Sequence, residues 1–180
     1  GKSTLLRLAK GLAQPHTGSI SLAPGRSCGR DVGLMFQNPD EQLFAHTVAV
    51  ECGYWLANLE VPEPARTARV TRELAGLGLE ELLNRSPFSL SFGEKRRLCL
   101  AAVLVAEPSL LCLDEPTTGL DDATMAVMAQ VVLARAEQGA AVLVATHEQA
   151  FAAMTATRIV WLENGRIISD VPNPEGGHVA

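Results

Sequence analysis

The succession of apolar runs and helical stretches predicts an α/β chain on a mainly parallel sheet, with a helical subdomain inserted at about residues 45–107. Three observations carry that reading. Leu110-Leu-Cys-Leu113 is an unbroken apolar run closed by Asp114-Glu115, the pattern of a central parallel strand buried on both faces. Two more runs of strand length, Val32–Phe36 and Ala140–Ala145, are separated from it by helical stretches, as parallel crossovers require. From Thr47 to about Leu83 the pattern is helical throughout, broken only by Pro62, Pro64, Gly76 and Gly78.

The elements follow in order. Gly1-Lys2-Ser3-Thr4 opens into Leu5–Ala9, a helix running off a loop. Thr17-Gly18 reads as a turn, Ser19–Leu22 as a short strand, and Pro24 to Arg30 as a loop before the strand Val32–Phe36. Ser91 is a polar start for a helix through Leu98–Ala106, with Lys95-Arg96-Arg97 expected as its solvated basic face. After the Leu110 strand come a helix over Ala123–Arg135, the strand Ala140–Ala145 and a short helix over Glu148–Met154. Ile159–Leu162 and Arg166–Ile168 flank Asn164-Gly165, which marks a β-hairpin. The tail from Pro172 to Ala180 is polar and is expected to be loose.

Composition narrows the function. The 180 residues suit one domain, at a prior of about 100–200 residues each. Apolar residues make 47% and charged residues 19%, enough to bury a core and outside the disordered range. The net charge of −5 argues against a sequence-independent grip on nucleic acid, which needs clustered positive charge. The apolar run Leu98–Ala106 falls far short of the roughly 20 residues that span a bilayer. No signal-peptide pattern opens the chain, so a cytoplasmic location is expected. Cys28, Cys52, Cys99 and Cys112 lack Cys-x-x-Cys pairing and nearby histidines, which favours free thiols in a reducing compartment. His16, His46 and His178 have no partners at useful spacing and are expected at the surface.

Gly1-Lys2-Ser3 matches the end of the phosphate-binding loop Gly-x-x-x-x-Gly-Lys-[Ser/Thr]. The first glycine, the loop and its strand are then expected upstream of Gly1, and residues 1–180 alone are expected to hydrolyse ATP poorly. A triphosphate needs a cation, a metal and main-chain donors at a helix N-terminus. Lys2 offers the charge and Ser3 a hydroxyl for Mg²⁺. Asp114, ending an apolar strand, is too costly to bury unpaired, and a magnesium ion is its natural partner. Glu115 follows, placed to take a proton from an attacking water. His147 closes the next strand, so all three face one crevice at the carboxyl ends of the sheet.

Read together, Gly1-Lys2-Ser3-Thr4, Gln37, Leu90-Ser-Phe-Gly-Glu94, Leu110–Glu115, Gly119-Leu-Asp121 and Thr146-His147 stand in one order. Over nearly its whole length the chain resembles the nucleotide-binding ATPase domain of ABC transporters, a P-loop NTPase-type fold. The resemblance implies that Gly1, Lys2, Ser3, Thr4, Ser91, Gly93 and Asp121 contact ATP. It implies Mg²⁺ held by Ser3, Gln37 and Asp114, with Glu115, His147 and Gln37 in catalysis. Two such domains would pair head to tail, each bringing Ser91 and Gly93 to the other's nucleotide, as a homodimer or a heterodimer. The signature departs from the family's Leu-Ser-Gly-Gly-Gln at Phe92, which removes a flexible glycine.

Phe36–Phe44 with Thr47-Val48, and Gly93–Arg97, are similar to the ATPases of energy-coupling factor importers, although Ala49-Val50-Glu51 departs from their usual acidic pattern. That narrower resemblance implies uptake of a vitamin or a transition-metal ion, powered through a transmembrane coupling protein at the inner face of the cell membrane. Leu43 and Phe44 are expected either to anchor that partner's helix or to pack the core. The alternatives are a non-transport ABC ATPase acting on ribosomes or DNA, and a nucleotide-binding domain without turnover. No sustained heptads separate Gln37 from Ser91, and Glu115 and His147 are both present.

Overall fold

Residues 1–174 and 176 are described by the structure, a computed structural model. Helix α1 (Lys2–Lys10) ends at Gly11, whose φ of +79° is the left-handed conformation that closes a helix. The segment expected as a strand at Ser19–Leu22 has no regular secondary structure, is largely exposed, and pairs with no strand among the described residues. Alternating residues suffice for a strand only where a partner supplies the hydrogen bonds. The expected loop before β1 (Val32–Met35) closes with one helical turn, α2 (Cys28–Asp31), where the Asp31 carboxylate accepts from the Ser27 N–H and from Arg26.

The helical pattern expected over Thr47 to about Leu83 resolves into α3 (Val48–Asn58) and α4 (Glu63–Gly76), and the helix expected from Ser91 is α5 (Phe92–Leu104). Each start has a local cause. Thr47 accepts from the Val50 N–H, Pro64 sits in the first turn of α4, and Ser91 and Glu94 form a reciprocal capping box. Then come β2 (Leu110–Asp114), α6 (Asp122–Glu137) capped by Asp121, β3 (Ala141–Ala145) and α7 (Gln149–Thr155). The antiparallel hairpin β4 (Arg158–Glu163) and β5 (Arg166–Pro172) turns at Asn164 and Gly165, both at positive φ, as a two-residue hairpin turn demands. Strand β5 therefore runs to Pro172, where the loose tail was expected to begin, and His178 lies outside the described residues.

The main sheet is parallel with order β1-β2-β3, pairing Val32 with Leu110 and Leu110 with Ala141. Strand β2 is its centre, and Leu111, Cys112 and Leu113 are wholly buried. On one face α1 packs Leu6 and Ala9 against Val32, Leu34, Cys112 and Ala145. On the other, Met35, Leu111 and Leu113 join side chains of α3, α4, α5, α6 and α7 in one continuous cluster. Helix α5 comes so close to β1 that a Cβ on Gly33 would stand 2.4 Å from a Val103 methyl. Among the described residues no helix is long and apolar enough to cross a membrane.

Candidate active site

Glu115 leaves the end of β2 in a left-handed conformation, φ +47°, uncommon for a residue with a side chain. Its N–H donates to the Ala145 carbonyl at 2.7 Å, and its own carbonyl accepts from Arg96 Nη1 at 2.7 Å. So held, the buried carboxylate points toward two other elements. Oε1 lies 3.9 Å from Lys2 Nζ, at the N-terminal end of α1. Oε2 lies 2.8 Å from His147 Nδ1 and accepts from the His147 main-chain N–H at 3.2 Å. The strand order thus joins Lys2, Glu115 and His147, which the sequence places far apart.

Asp114 is buried, and its Oδ1 has no hydrogen-bond partner; Thr117 and Thr118 hydroxyls beside it are also unpartnered. An orphaned carboxylate oxygen is costly in such surroundings, and a hard divalent cation relieves it. Ser3 at the start of α1 and Gln37 just beyond β1 would add a hydroxyl and an amide oxygen. That all-oxygen donor set fits Mg²⁺, which keeps several of its waters.

The signature residues have local duties. Ser91 Oγ donates to Glu94 Oε2 at 2.8 Å and accepts from the Glu94 N–H at 3.3 Å. The Ser91 hydroxyl and the Ser91 main-chain N–H, both donating to the carboxylate, hold the Glu94 carboxyl below its ordinary range. The Asp121 carboxyl is likewise lowered, by Thr124 at the start of α6, whose N–H it accepts at 2.7 Å. Gly93 faces Leu120, and the Phe92 ring lies against Gly119, so the signature turn packs on the loop after β2 of the same chain. Gly1, Thr4 and Gln37 are exposed.

One expectation is corrected here, and one pair of alternatives is divided between two residues. Lys95-Arg96-Arg97 is no solvated face: Arg96 is 1% exposed, and Lys95 pairs with Asp40 at 2.7 Å. Helical spacing carries the missed signal, since Arg96 falls four residues after Phe92 and four before the buried Leu100. Leu43, at 4% exposed, belongs to the core, whereas Phe44 is 56% exposed and meets Tyr54 edge-on at 4.7 Å. Gln42 was also unforeseen: it accepts from the Phe36 N–H and donates to the Cys99 carbonyl, tying the loop after β1 to α5.

A parallel sheet with these groups at its carboxyl ends, and a lysine opening the helix behind it, defines a P-loop NTPase fold. The ABC transporter family model matches residues 1–118, and the chain belongs to that family. It is 34% identical over 179 residues to the energy-coupling factor transporter ATP-binding protein EcfA of Methanothermobacter thermautotrophicus, covering 94% of this chain. The chain spans 58% of that relative's length. It is 37% identical over 191 residues to the nickel import ATP-binding protein NikO of Rhodobacter capsulatus, covering 97% of this chain and 75% of the other. Among solved structures, the ATP-binding cassette MJ0796, a dimer in a post-hydrolysis state with ADP and Pi, superposes with a TM-score of 0.86. That pair shares 25% identity over 96% of this chain and 81% of the other.

Proposed function

We propose that this chain binds and hydrolyses ATP to drive uptake of a vitamin or a transition-metal ion through a membrane complex. The observation that carries it is the Glu115 carboxylate held between Lys2 and His147 beside the orphaned Asp114. A carboxylate already occupies the space between a lysine cation and an imidazole, and the terminal phosphate of ATP is the anion that would take its place. Lys2 then binds phosphate, His147 orients the attacking water, and Glu115, released from both, takes the water's proton. Gly1 and Thr4 add contacts at the helix N-terminus. Mg²⁺ held by Ser3, Gln37 and Asp114 would neutralise charge on the phosphate oxygens.

The relatives' names support the transport reading: one is an energy-coupling factor ATPase and another a nickel importer ATPase. The dimeric MJ0796 supports pairing with a second ATPase subunit, identical or not, in which Ser91, Gly93 and Asp121 would complete the partner's nucleotide site. The segment 45–107 would serve as a helical subdomain facing a transmembrane coupling protein at the inner face of the membrane. The exposed Phe44, Val50 and Tyr54 offer that protein an apolar anchor.

Glu115→Gln tests the assignment directly. In the full-length protein it should keep nucleotide binding while steady turnover falls about 10²-fold or more. Turnover at the wild-type rate would move the base elsewhere and remove the basis of the proposal.

A further inference from the structure

Arg96 is the most deeply buried charged side chain among the described residues. It sits in an expensive place. Its Nε has no hydrogen-bond partner, and burial pulls its guanidinium below its ordinary basicity. Burying a cation without a close carboxylate costs more than an apolar residue of similar volume would. Two contacts define what the guanidinium does there. Nη1 donates to the Glu115 carbonyl at 2.7 Å, and Cζ stands 5.1 Å from the centre of the Phe92 ring. That ring in turn lies against Gly119, itself at φ +77°, where an added Cβ would stand 3.1 Å from Phe92 Cε1.

We propose that Arg96, oriented by Phe92, is a positioning residue for Glu115, fixing the peptide that aims its carboxylate. This rests on the reading of Glu115 as the base. The left-handed φ of Glu115 persists only if its surroundings determine it. Ala145 holds one side of that residue through its N–H, and Arg96 the other through its carbonyl. The second tether starts from α5, the helix that opens at Ser91. Movement at the signature turn therefore reaches the base through Phe92 and Arg96, with no contact between Ser91 and Glu115 required. Phe92, where the family's signature carries glycine, has a role in this arrangement: its ring face holds the cation in line with the carbonyl.

The test is steady-state ATPase kinetics on the full-length protein, with melting temperatures alongside. Arg96→Met should lower kcat about tenfold with KM for ATP within about threefold, and Arg96→Lys, which keeps a charged donor, should recover much of the loss. In a Glu115→Gln background Arg96→Met should lower the residual rate no further, because it acts through the group already removed. A merely structural role would lower that rate by the same factor as in the wild type, and that result overturns the proposal. So does a wild-type kcat for Arg96→Met. Should Arg96→Met fail to fold, Phe92→Leu decides: a lower kcat at unchanged KM and melting temperature supports the proposal, and an unchanged kcat overturns it. Wild-type turnover in Glu115→Gln alone would instead refute the base assignment, a different result read in the same series.

Discussion

Glu94 accepts from both the hydroxyl and the main-chain N–H of Ser91, at 2.8 Å each, and this double donation gives the signature turn a pH signature. The contacts favour the ionised carboxyl, so its folded pKa lies below the ordinary value of 4.5. The stabilisation is then complete above that value and is lost as pH falls through the lower folded pKa. Glu94→Gln keeps a capping acceptor without the charge. Melting temperatures taken from neutral pH down to about pH 3 should fall less steeply in Glu94→Gln than in the wild type. Parallel profiles for the two proteins would show that this carboxyl contributes nothing to acid sensitivity. At this scale the sequence was readable wherever the chemistry is local. Ser91 and Asp121 announce helix starts, and Asp114-Glu115 announces a strand end with work to do. Arg96 was not readable by the same means. Its charge points outward while its position on the helix points inward, and only the Glu115 carbonyl and the Phe92 ring settle the conflict.

Between elements, the most exacting polar contact is the pairing of Glu73 on α4 with Arg135 on α6, extended by Arg72, which bonds both Glu73 and Glu107. Glu73 is buried and Arg135 largely so. Arg135→Leu leaves the buried Glu73 with only the exposed Arg72 as a cation partner and should destabilise by about 2 kcal/mol, and Glu73→Leu with Arg135→Leu together should recover most of that loss. Chemical denaturation of the two single variants and the double variant measures it, and simple additivity would mean that the pair is not coupled. The sequence shows both charges but no reason to join them, since they stand far apart along the chain. Elements themselves were legible where periodicity or turn chemistry is strong, as in β2 and in the hairpin at Asn164-Gly165. Ser19–Leu22 misled because alternation says which residues could face a partner strand, and says nothing of whether one is there.

For the molecule as a whole, one apolar cluster runs from the sheet through α3, α4 and α5 into α6 and α7. A push on the helical segment would therefore be passed to the strands that carry the site, because close-packed interiors transmit strain. In the proposed membrane complex, the exposed Phe44, backed by Tyr54, is where the partner would apply that push. Leu43 next to it is already spent on the core. Phe44→Ser should weaken co-purification with the proposed transmembrane coupling protein about tenfold or more while basal ATPase and melting temperature stay near wild type. A variant that binds the partner normally would place the docking surface elsewhere. The site's residue types were legible in the sequence, whereas their meeting at one strand end depends on the crossing of β2 between β1 and β3.

The same packing has a practical consequence for chemistry at sulfur. Burial pushes the thiols of Cys52 and Cys99 up to about 12 and that of Cys112 up to about 11, so near neutral pH these three are almost wholly protonated and shielded. Cys28, half-buried at the start of α2, stands apart from them, with its Cβ close to Gly11 at the end of α1. A maleimide offered to the folded protein at about pH 7.5 should add one equivalent, at Cys28, while the unfolded chain should take up all four. Intact-mass spectrometry counts the adducts, and a second rapid adduct on the folded protein would show that the core opens more readily than its packing implies. The natural sequence thus carries its own single-site handle, and a fluorophore placed there would watch the far end of the helix whose first turn holds Lys2.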